Sequence, residues 1–483
     1  MRNERDCSTP GHPALVIDLD GTLLRSDLLL ETALVFLREE PWRFLAPVCW
    51  LLRGKAALKH ELARATDIDV AVLPYDQAVV ELIELERGRG RRIVLATASH
   101  RRLAERVAEH LQLFDEVIAT DLERNLSAET KRDVLIEAFG EQGFDYVGNS
   151  NKDLPVWRAA RHAYVVNATP TVEHRARKLG NVAAVLPAHR VTLRDWAKAL
   201  RLHQWLKNLL LFVPLFAAHQ YTELPLIIDA LVAFVCFSLC SSSVYVLNDL
   251  LDLSDDRHHA SKRSRPFASG RLSLHSGLAV FPLLVVAALT LALWRLPIAY
   301  SAVLATYYAL TLAYSLSLKR HMVIDVITLA TLYTLRVIAG AVALNLDLSF
   351  WLLAFSMFIF LSLALVKRYA ELFEARALGR LDKARGRGYF PDDLQMVAAL
   401  GAAAGYMAVM VLALYINDSN TTRLYQHPEI IWLACPLLLT WVSRVWMLAH
   451  RGQMNEDPVI FAVQDRTSLA IGALVAVVFW AAT

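Results

Sequence analysis

Cysteine is scarce in this chain: five in 483 residues (Cys7, Cys49, Cys236, Cys240 and Cys435), with no CxxC pair among them. That excludes a disulfide-stapled scaffold and a zinc ribbon, and it suits a reducing compartment. Cys236 and Cys240, four residues apart, read as small apolar residues on one helix face. Net charge is scarce too, because 50 Lys and Arg against 47 Asp and Glu leave only +3. So small an excess excludes a global nucleic-acid footprint, and any basic surface has to be local. The first dozen residues lack a basic stretch followed by an apolar core, so no cleavable signal is expected and the N-terminus is expected in the cytoplasm. What abounds is apolar side chain. A hydrophobic content of 55% with a mean hydropathy of +0.36 is too high for a wholly soluble protein, and the length is too great for one core.

The chain divides in two. Through about residue 185 it reads as a soluble α/β protein, with "PALVIDLDGTLL", "GRRIVLATASH", "DEVIAT" and "FDYVGNS" as candidate strands. Stretches such as "RRLAERVAEHL" and "KRDVLIEAFG" between them have helical periodicity, which predicts a Rossmann-like parallel sheet. Residues 23–90 interrupt that rhythm with helical sequence, as a cap inserted over the sheet would. Residues 186–203 read as a basic amphipathic linker suited to anionic headgroups. From 204 to 483 the sequence predicts an all-α polytopic bundle of about nine spans, near 204–219, 225–247, 275–294, 298–316, 322–345, 350–366, 394–416, 429–449 and 467–482. With the soluble half inside, the inner loops carry 16 Lys and Arg against two outside, Arg295 and Arg423. The positive-inside rule supports that orientation.

Between two of these spans lies "NDLLDLSDDRHHASKRSRPFASG", residues 248–270. Asn248, Asp252 and Asp256 follow i, i+4, i+8 spacing, so a helix leaving the membrane puts them on one face with Asp249 beside them. Carboxylates that close repel one another unless a cation sits among them, and an all-oxygen set favours a hard ion such as Mg²⁺ that bridges to substrate phosphates. The bases Arg257, Lys262, Arg263 and Arg265 follow within ten residues, as a diphosphate site requires. In a later span Asp325 and Arg336 are eleven residues apart and share a helix face. Ionisable groups within a span are site candidates by default. "LVKRYAEL" adds Lys367 and Arg368 at the inner end of another.

"NDLLDLSDD" fits the NDxxDxxxD motif of the UbiA superfamily of intramembrane prenyltransferases, and "RPFASG" stands where that family has RPxASG. The resemblance covers about residues 200–483 and implies that Asn248, Asp249, Asp252 and Asp256 hold Mg²⁺ on a substrate diphosphate. One departure is informative: where quinone-type members carry a second DxxxD motif, Asp325 is followed four positions later by Leu329. "HQWLKNLLLFVPLFA", "YSLSLKRHMVIDV", "YTLRVIAGA" and "KRYAEL" look instead like the branch typified by decaprenyl-phosphate phosphoribosyltransferase. That resemblance implies phosphoribosyl pyrophosphate as donor and a polyprenyl phosphate as acceptor. It makes Lys207, Asn208, Lys262, Arg265, Tyr314, Lys319, Tyr333, Arg336, Lys367 and Arg368 candidates for holding phosphates and ribose, with Asp325 orienting a ribose hydroxyl.

In the soluble half "DLDGT" closes the first strand, which places Asp18 and Asp20 at a carboxyl end, where open α/β sheets bind ligands. Two acids in DxD spacing permit a nucleophile on phosphorus, Asp18, beside a general acid and base, Asp20, both near Mg²⁺. Thr97 and Lys131 are placed to hold phosphate. With "GNSNKD" these residues resemble the four motifs of the haloacid dehalogenase superfamily, over about residues 12–170. Asn149 stands where that family usually has an aspartate, leaving Asp153 as the acid of the fourth motif. The expected activity is therefore Mg²⁺-dependent phosphoribosyl transfer to a polyprenyl phosphate, with a fused phosphatase removing the 5-phosphate. Two competing readings are a prenyltransferase moving a polyprenyl group from its diphosphate to an aromatic acceptor, and a non-enzymatic transporter or scaffold. Either enzymatic reading places the chain in a bacterial-type plasma membrane with its active-site loops in the cytoplasm.

Overall fold

A computed structural model describes residues 12–121, 126–379, 388–418, 424–454 and 457–483. Cys7, Arg423 and the loop bases within 380–387 lie outside the described residues. The chain forms two compact units, one of residues 1–200 with Tyr245–Val280 and one of Arg201–Val244 with Phe281–Thr483.

The first unit is built on a six-stranded parallel sheet of order β3-β2-β1-β4-β5-β6, the strands being β1 (Ala14–Ile17), β2 (Ile93–His100), β3 (Glu116–Thr120), β4 (Phe144–Gly148), β5 (Ala163–Val166) and β6 (Val182–Leu186). Alternation within β1 sorts its side chains to two cores: Leu15 and Ile17 join Val79, Ile83 and Leu103 on one face, while Ala14 and Val16 join Leu135, Tyr146 and Trp157 on the other. Sheets covered on both faces read as continuous apolar runs, which is why all four β1 residues are buried. The chain runs outward in both directions from β1, to β2 on one side and β4 on the other. The carboxyl end of β1 is thus the topological switch point, and Asp18 follows it directly.

The insert expected over 23–90 is helical. Leu28–Glu39, Ala46–Leu52 and Lys55–Ala65 pack around Phe36, Leu58 and Leu62, whereas Gln77–Gly88 buries Val79 and Ile83 in the sheet core. Two elements go beyond the four expected strands, β5 and β6, of four and five residues. Past the sheet, Leu193–Ala199 forms a short helix capped reciprocally by Thr192 and Asp195.

Among the described residues six helices are long and apolar enough to cross a membrane: Leu224–Leu251, Leu274–Arg295, Ile324–Ala343, Phe350–Ala377, Pro391–Ile416 and Pro428–His450. A seventh is reached if Pro458–Gln464 and Arg466–Ala482, bent by 79°, count as one span. The expected nine are not found among the described residues, for two physical reasons. Residues 204–219 fold as a 3-10 segment, Leu202–Phe212, and a five-residue helix, Val213–Ala217, too short to span. Ile298–Leu316 is long enough but diluted by Tyr300, Tyr307, Tyr308 and Tyr314. Cys236 and Cys240 are buried on one helix, as expected of small apolar residues.

Candidate active sites

At the carboxyl edge of the sheet, Lys131 Nζ donates to Asp18 Oδ1 at 2.7 Å and to the Tyr146 hydroxyl at 2.9 Å. The Tyr146 hydroxyl donates in turn to Asp153 Oδ1 at 2.9 Å. Asp153 Oδ2 accepts from the Asn149 and Ser150 backbone and from Ser150 Oγ, so this buried acid braces the turn after β4. Asp20 accepts from the Leu28 backbone N–H at 2.8 Å and from Ser99 Oγ at 2.5 Å. Burial pushes the Asp20 carboxyl up to about 7, with the charge of Asp27 adding to it and the hydrogen bond from Ser99 opposing it. Burial likewise lifts Asp18 to about 6, against the pull of Lys131. An acid poised as high as Asp20 suits proton transfer. Thr97 is fully buried and accepts from the Ser99 N–H at 3.0 Å, where the register of β2 against β3 shifts. Gly21, at φ +75°, has the Asn149 amide against it, where a Cβ would come within 2.1 Å of Nδ2. The amide thus sits beside the DxD turn. Tyr146 and Ser99 were not legible as site residues, since Tyr146 lies in a strand buried at every position and offers no alternation to single it out.

In the same unit the motif acids sit where a span ends. The single helix expected through Asn248, Asp252 and Asp256 is broken: Leu224–Leu251 stops, Asp252 leaves helical geometry at ψ 15°, and Leu253–His258 follows. Asp249 and Asp256, both buried, converge on one atom, Arg265 Nη1, at 3.2 and 2.6 Å. Burial lifts Asp256 to about 6 against the charge of Arg265. Asp252 faces Arg38 Nη2 at 3.5 Å, and Asp255 pairs with the same guanidinium. Asn248 and Lys262 are half-buried beside them in the chain. Arg257 spends its three nitrogens elsewhere: Nε donates to the Ala268 carbonyl at 2.9 Å, and Nη1 and Nη2 donate to Glu31 at 3.1 and 2.6 Å. Glu31 and Arg38, from the insert, carry no sequence signal, because their partners are more than two hundred residues away.

Among the described residues no group of three or more His, Cys, Asp or Glu stands arranged to hold a metal. The reason is visible in the partners, Arg265 lying between Asp249 and Asp256 and Lys131 lying on Asp18. Two buried carboxylates aimed at one cationic atom nevertheless fit a hard divalent ion at that point. The hydrolytic set fits less fully, with Asn149 neutral and Asp153 committed to four hydrogen bonds.

The second unit gathers the other candidates. Asp325, fully buried, accepts from the Tyr314 hydroxyl at 2.8 Å and lies 2.8 Å from Arg368 Nη2. Arg368 also pairs with Glu371 and lies over the Tyr389 ring. The Tyr389 hydroxyl accepts from the N–H of Val323, a β-branched residue held at φ +68° just before the Asp325 helix. Arg336 shares a helix with Asp325 but serves another set: Nε donates to Asn208 Oδ1 at 3.0 Å and Nη2 to the Tyr307 hydroxyl at 3.1 Å. The rings of Phe237, Tyr307 and Tyr333 surround its guanidinium at 5.1–5.3 Å. Lys207 pairs with Asp457 and lies over Tyr333, and Lys367 is within electrostatic reach of both Lys207 and Asp457. Asp457 was missed because "NEDPVI" reads as a solvated loop. Lys319 is half-buried in the 3-10 turn Leu318–Arg320.

A parallel α/β fold with acids at its switch point, joined to a polytopic helical part with an acid motif at a span end, defines a two-part integral membrane enzyme. The chain belongs to the UbiA prenyltransferase family, which residues 209–461 match, and residues 15–158 match the haloacid dehalogenase-like hydrolases. Both are enzyme families that depend on Mg²⁺ in general. An uncharacterized protein of Sinorhizobium fredii is 36% identical over 467 residues, 96% of this chain and 90% of that protein. The nodulation protein NoeC of Azorhizobium caulinodans is 37% identical over 60% of this chain and 95% of its own length. The decaprenyl-phosphate phosphoribosyltransferase of Mycolicibacterium smegmatis is 34% identical over 56% of this chain and 86% of its own.

Proposed function

We propose that the chain transfers a phosphoribosyl group from phosphoribosyl pyrophosphate to a polyprenyl phosphate and that its hydrolase domain then removes the 5-phosphate. The bond from ribose C1 to the pyrophosphate oxygen breaks, and a bond from C1 to a lipid phosphate oxygen forms. A phosphate monoester is already ionised at neutral pH, so no strong general base is required. The observation that carries the reading is the state of Asp325. With Leu329 four positions on, this acid has no second motif carboxylate, and Arg368 and Tyr314 occupy it. A second metal on a prenyl diphosphate would lack the carboxylate that Leu329 replaces, and we assign Asp325, beside Arg368 and Tyr314, to a ribose hydroxyl. Similarity to phosphoribosyltransferases named for decaprenyl phosphate supports the same choice.

Asn248, Asp249, Asp252 and Asp256 would hold Mg²⁺, which when bound neutralises the charge developing on departing pyrophosphate. Arg265 and Lys262 add fixed positive charge to the diphosphate. Lys207, Asn208, Lys319, Tyr333, Arg336, Lys367 and Arg368 are assigned to phosphate and ribose contacts. In the hydrolase domain Asp18 attacks phosphorus as the ester P–O bond breaks, Lys131 and Thr97 hold the phosphate, and Asp20 gives a proton to the leaving oxygen and later takes one from the water that releases inorganic phosphate from Asp18; Asp18, Asp20 and Asp153 would hold Mg²⁺. We further assign residues 1–185 to the hydrolase, 186–203 to a linker and 204–483 to the transferase, with the soluble part cytoplasmic. Purified protein given phosphoribosyl pyrophosphate labelled in the pentose, polyprenyl phosphate and Mg²⁺ is expected to release pyrophosphate and move label into the lipid fraction. Label that stays water-soluble under those conditions contradicts the assignment.

A further inference from the structure

The insert of the hydrolase domain closes only one of its two faces. Phe36, Leu58 and Leu62 pack with Ala46 and Trp50 on the inner side. On the outer side Trp42, Phe44, Leu45, Val48, Leu51 and Leu52 are left to solvent, Trp42 at 74% and Leu52 at 85% exposure. Contiguous exposed apolar side chains of this size mark a surface that meets something apolar. Of the bases over residues 41–60, Arg43 pairs with Glu40, Arg53 lies 3.9 Å from Glu61 and Lys59 donates to the Ala98 carbonyl, so the face is chiefly apolar. Its position is fixed by two contacts within the unit. Arg38, four residues before Trp42, faces Asp252, the residue directly after the membrane-length helix Leu224–Leu251. Glu31, on the same insert helix, holds Arg257 in a buried ion pair. The apolar stretch therefore begins beside the end of a span, where a bilayer has its headgroups. Trp, Phe and Leu with flanking Arg and Lys are the residues that lie in that interface.

We propose that the outer face of residues 41–52 docks into the headgroup boundary of the bilayer and presents the hydrolase domain to phosphate carried on a membrane lipid. The docking rests on the chain being an integral membrane protein; the choice of a lipid-borne phosphate as hydrolase substrate rests on the function proposed above.

Cys49 is exposed within this stretch, while Cys236, Cys240 and Cys435 are buried, so it serves as the labelling point in full-length Cys7→Ser protein. With an environment-sensitive fluorophore on Cys49 in phosphatidylglycerol-containing nanodiscs, phospholipid bearing a nitroxide near the head of its acyl chain is expected to quench emission about twofold or more, and aqueous iodide to quench little. Quenching by iodide without quenching by nitroxide lipid overturns the proposal. Shielding from both overturns it too, because a protein then covers the face. In a second arm Trp42→Asp with Leu52→Glu is expected to lose about tenfold or more in hydrolysis of the phosphoribosyl lipid while keeping its rate on p-nitrophenyl phosphate. Retention of both rates, or equal loss of both, counts against docking. Wild-type protein that hydrolyses neither compound refutes the phosphatase reading, and the quenching result alone then decides the docking.

Discussion

Replacing Glu31 with Ala tests how the insert and the motif loop depend on each other. Glu31 and Arg257 side chains are 3% and 5% exposed, and the pair is made by two hydrogen bonds of 2.6 and 3.1 Å, with Ser26 also donating to Glu31. Removing the acid leaves a guanidinium buried with only the Ala268 carbonyl, and breaking a buried pair in this way costs about 3–5 kcal/mol. Arg257 lies one residue after Asp256, so the cost falls on the segment that sets Asp249 and Asp256 around Arg265. The expected outcome is a lower thermal midpoint in nanodiscs, faster amide exchange across 248–270 and reduced transferase turnover. The swap Glu31→Arg with Arg257→Glu restores part of each, with a coupling energy of about 1.5–3 kcal/mol in a double-mutant cycle. A Glu31→Ala protein with unchanged midpoint, exchange and turnover would refute this account of the loop.

Asp249→Asn and Asp256→Asn are each expected to lower transferase kcat/KM by about 10²-fold or more and to raise the Mg²⁺ needed for half-maximal rate, as read by pyrophosphate release. Asp18→Asn should abolish hydrolysis of p-nitrophenyl phosphate and, with transfer intact, accumulate the 5-phosphorylated lipid seen by mass spectrometry. Arg368→Leu should cost more stability than Arg368→Leu combined with Asp325→Leu, by about 1.5 kcal/mol or more, because the single change strands a buried carboxylate. Burial pushes the Asp145 carboxyl up, but hydrogen bonds and charge from Arg161 and Arg91 outweigh it and hold it below the ordinary range. Its stabilising contribution is therefore complete above about pH 4, the ordinary aspartate value, and is lost as pH falls through the lower folded value. Asp145→Asn is expected to lower the melting midpoint at neutral pH and to flatten its decline in acid.

Local chemistry was legible where it is carried by neighbours in sequence. DxD at the end of an apolar run, and acids four apart at the end of a span, identify themselves without a fold. What escaped depends on distance along the chain. Glu31, Arg38, Tyr146 and Asp457 act through partners brought to them by folding, and nothing near them in sequence distinguishes them from solvated or core residues. Helical periodicity placed Asp325 and Arg336 on one face, yet it could not say that Arg368 from the next helix takes the acid while Asn208 takes the arginine. Six or seven of the nine expected spans meet the length and composition of a membrane helix among the described residues. The apolar run at 204–219, already short for a span, folds as a 3-10 segment and a short helix. Two further parallel strands, Ala163–Val166 and Val182–Leu186, were missed.

The most direct test of the central claim is a competition for the donor. Full-length protein in nanodiscs with Mg²⁺ is offered phosphoribosyl pyrophosphate and a polyprenyl diphosphate together, along with polyprenyl phosphate and an aromatic acid as acceptors. The account predicts pentose in the lipid fraction with the prenyl diphosphate unconsumed; a prenylated aromatic product with phosphoribosyl pyrophosphate left untouched would contradict it.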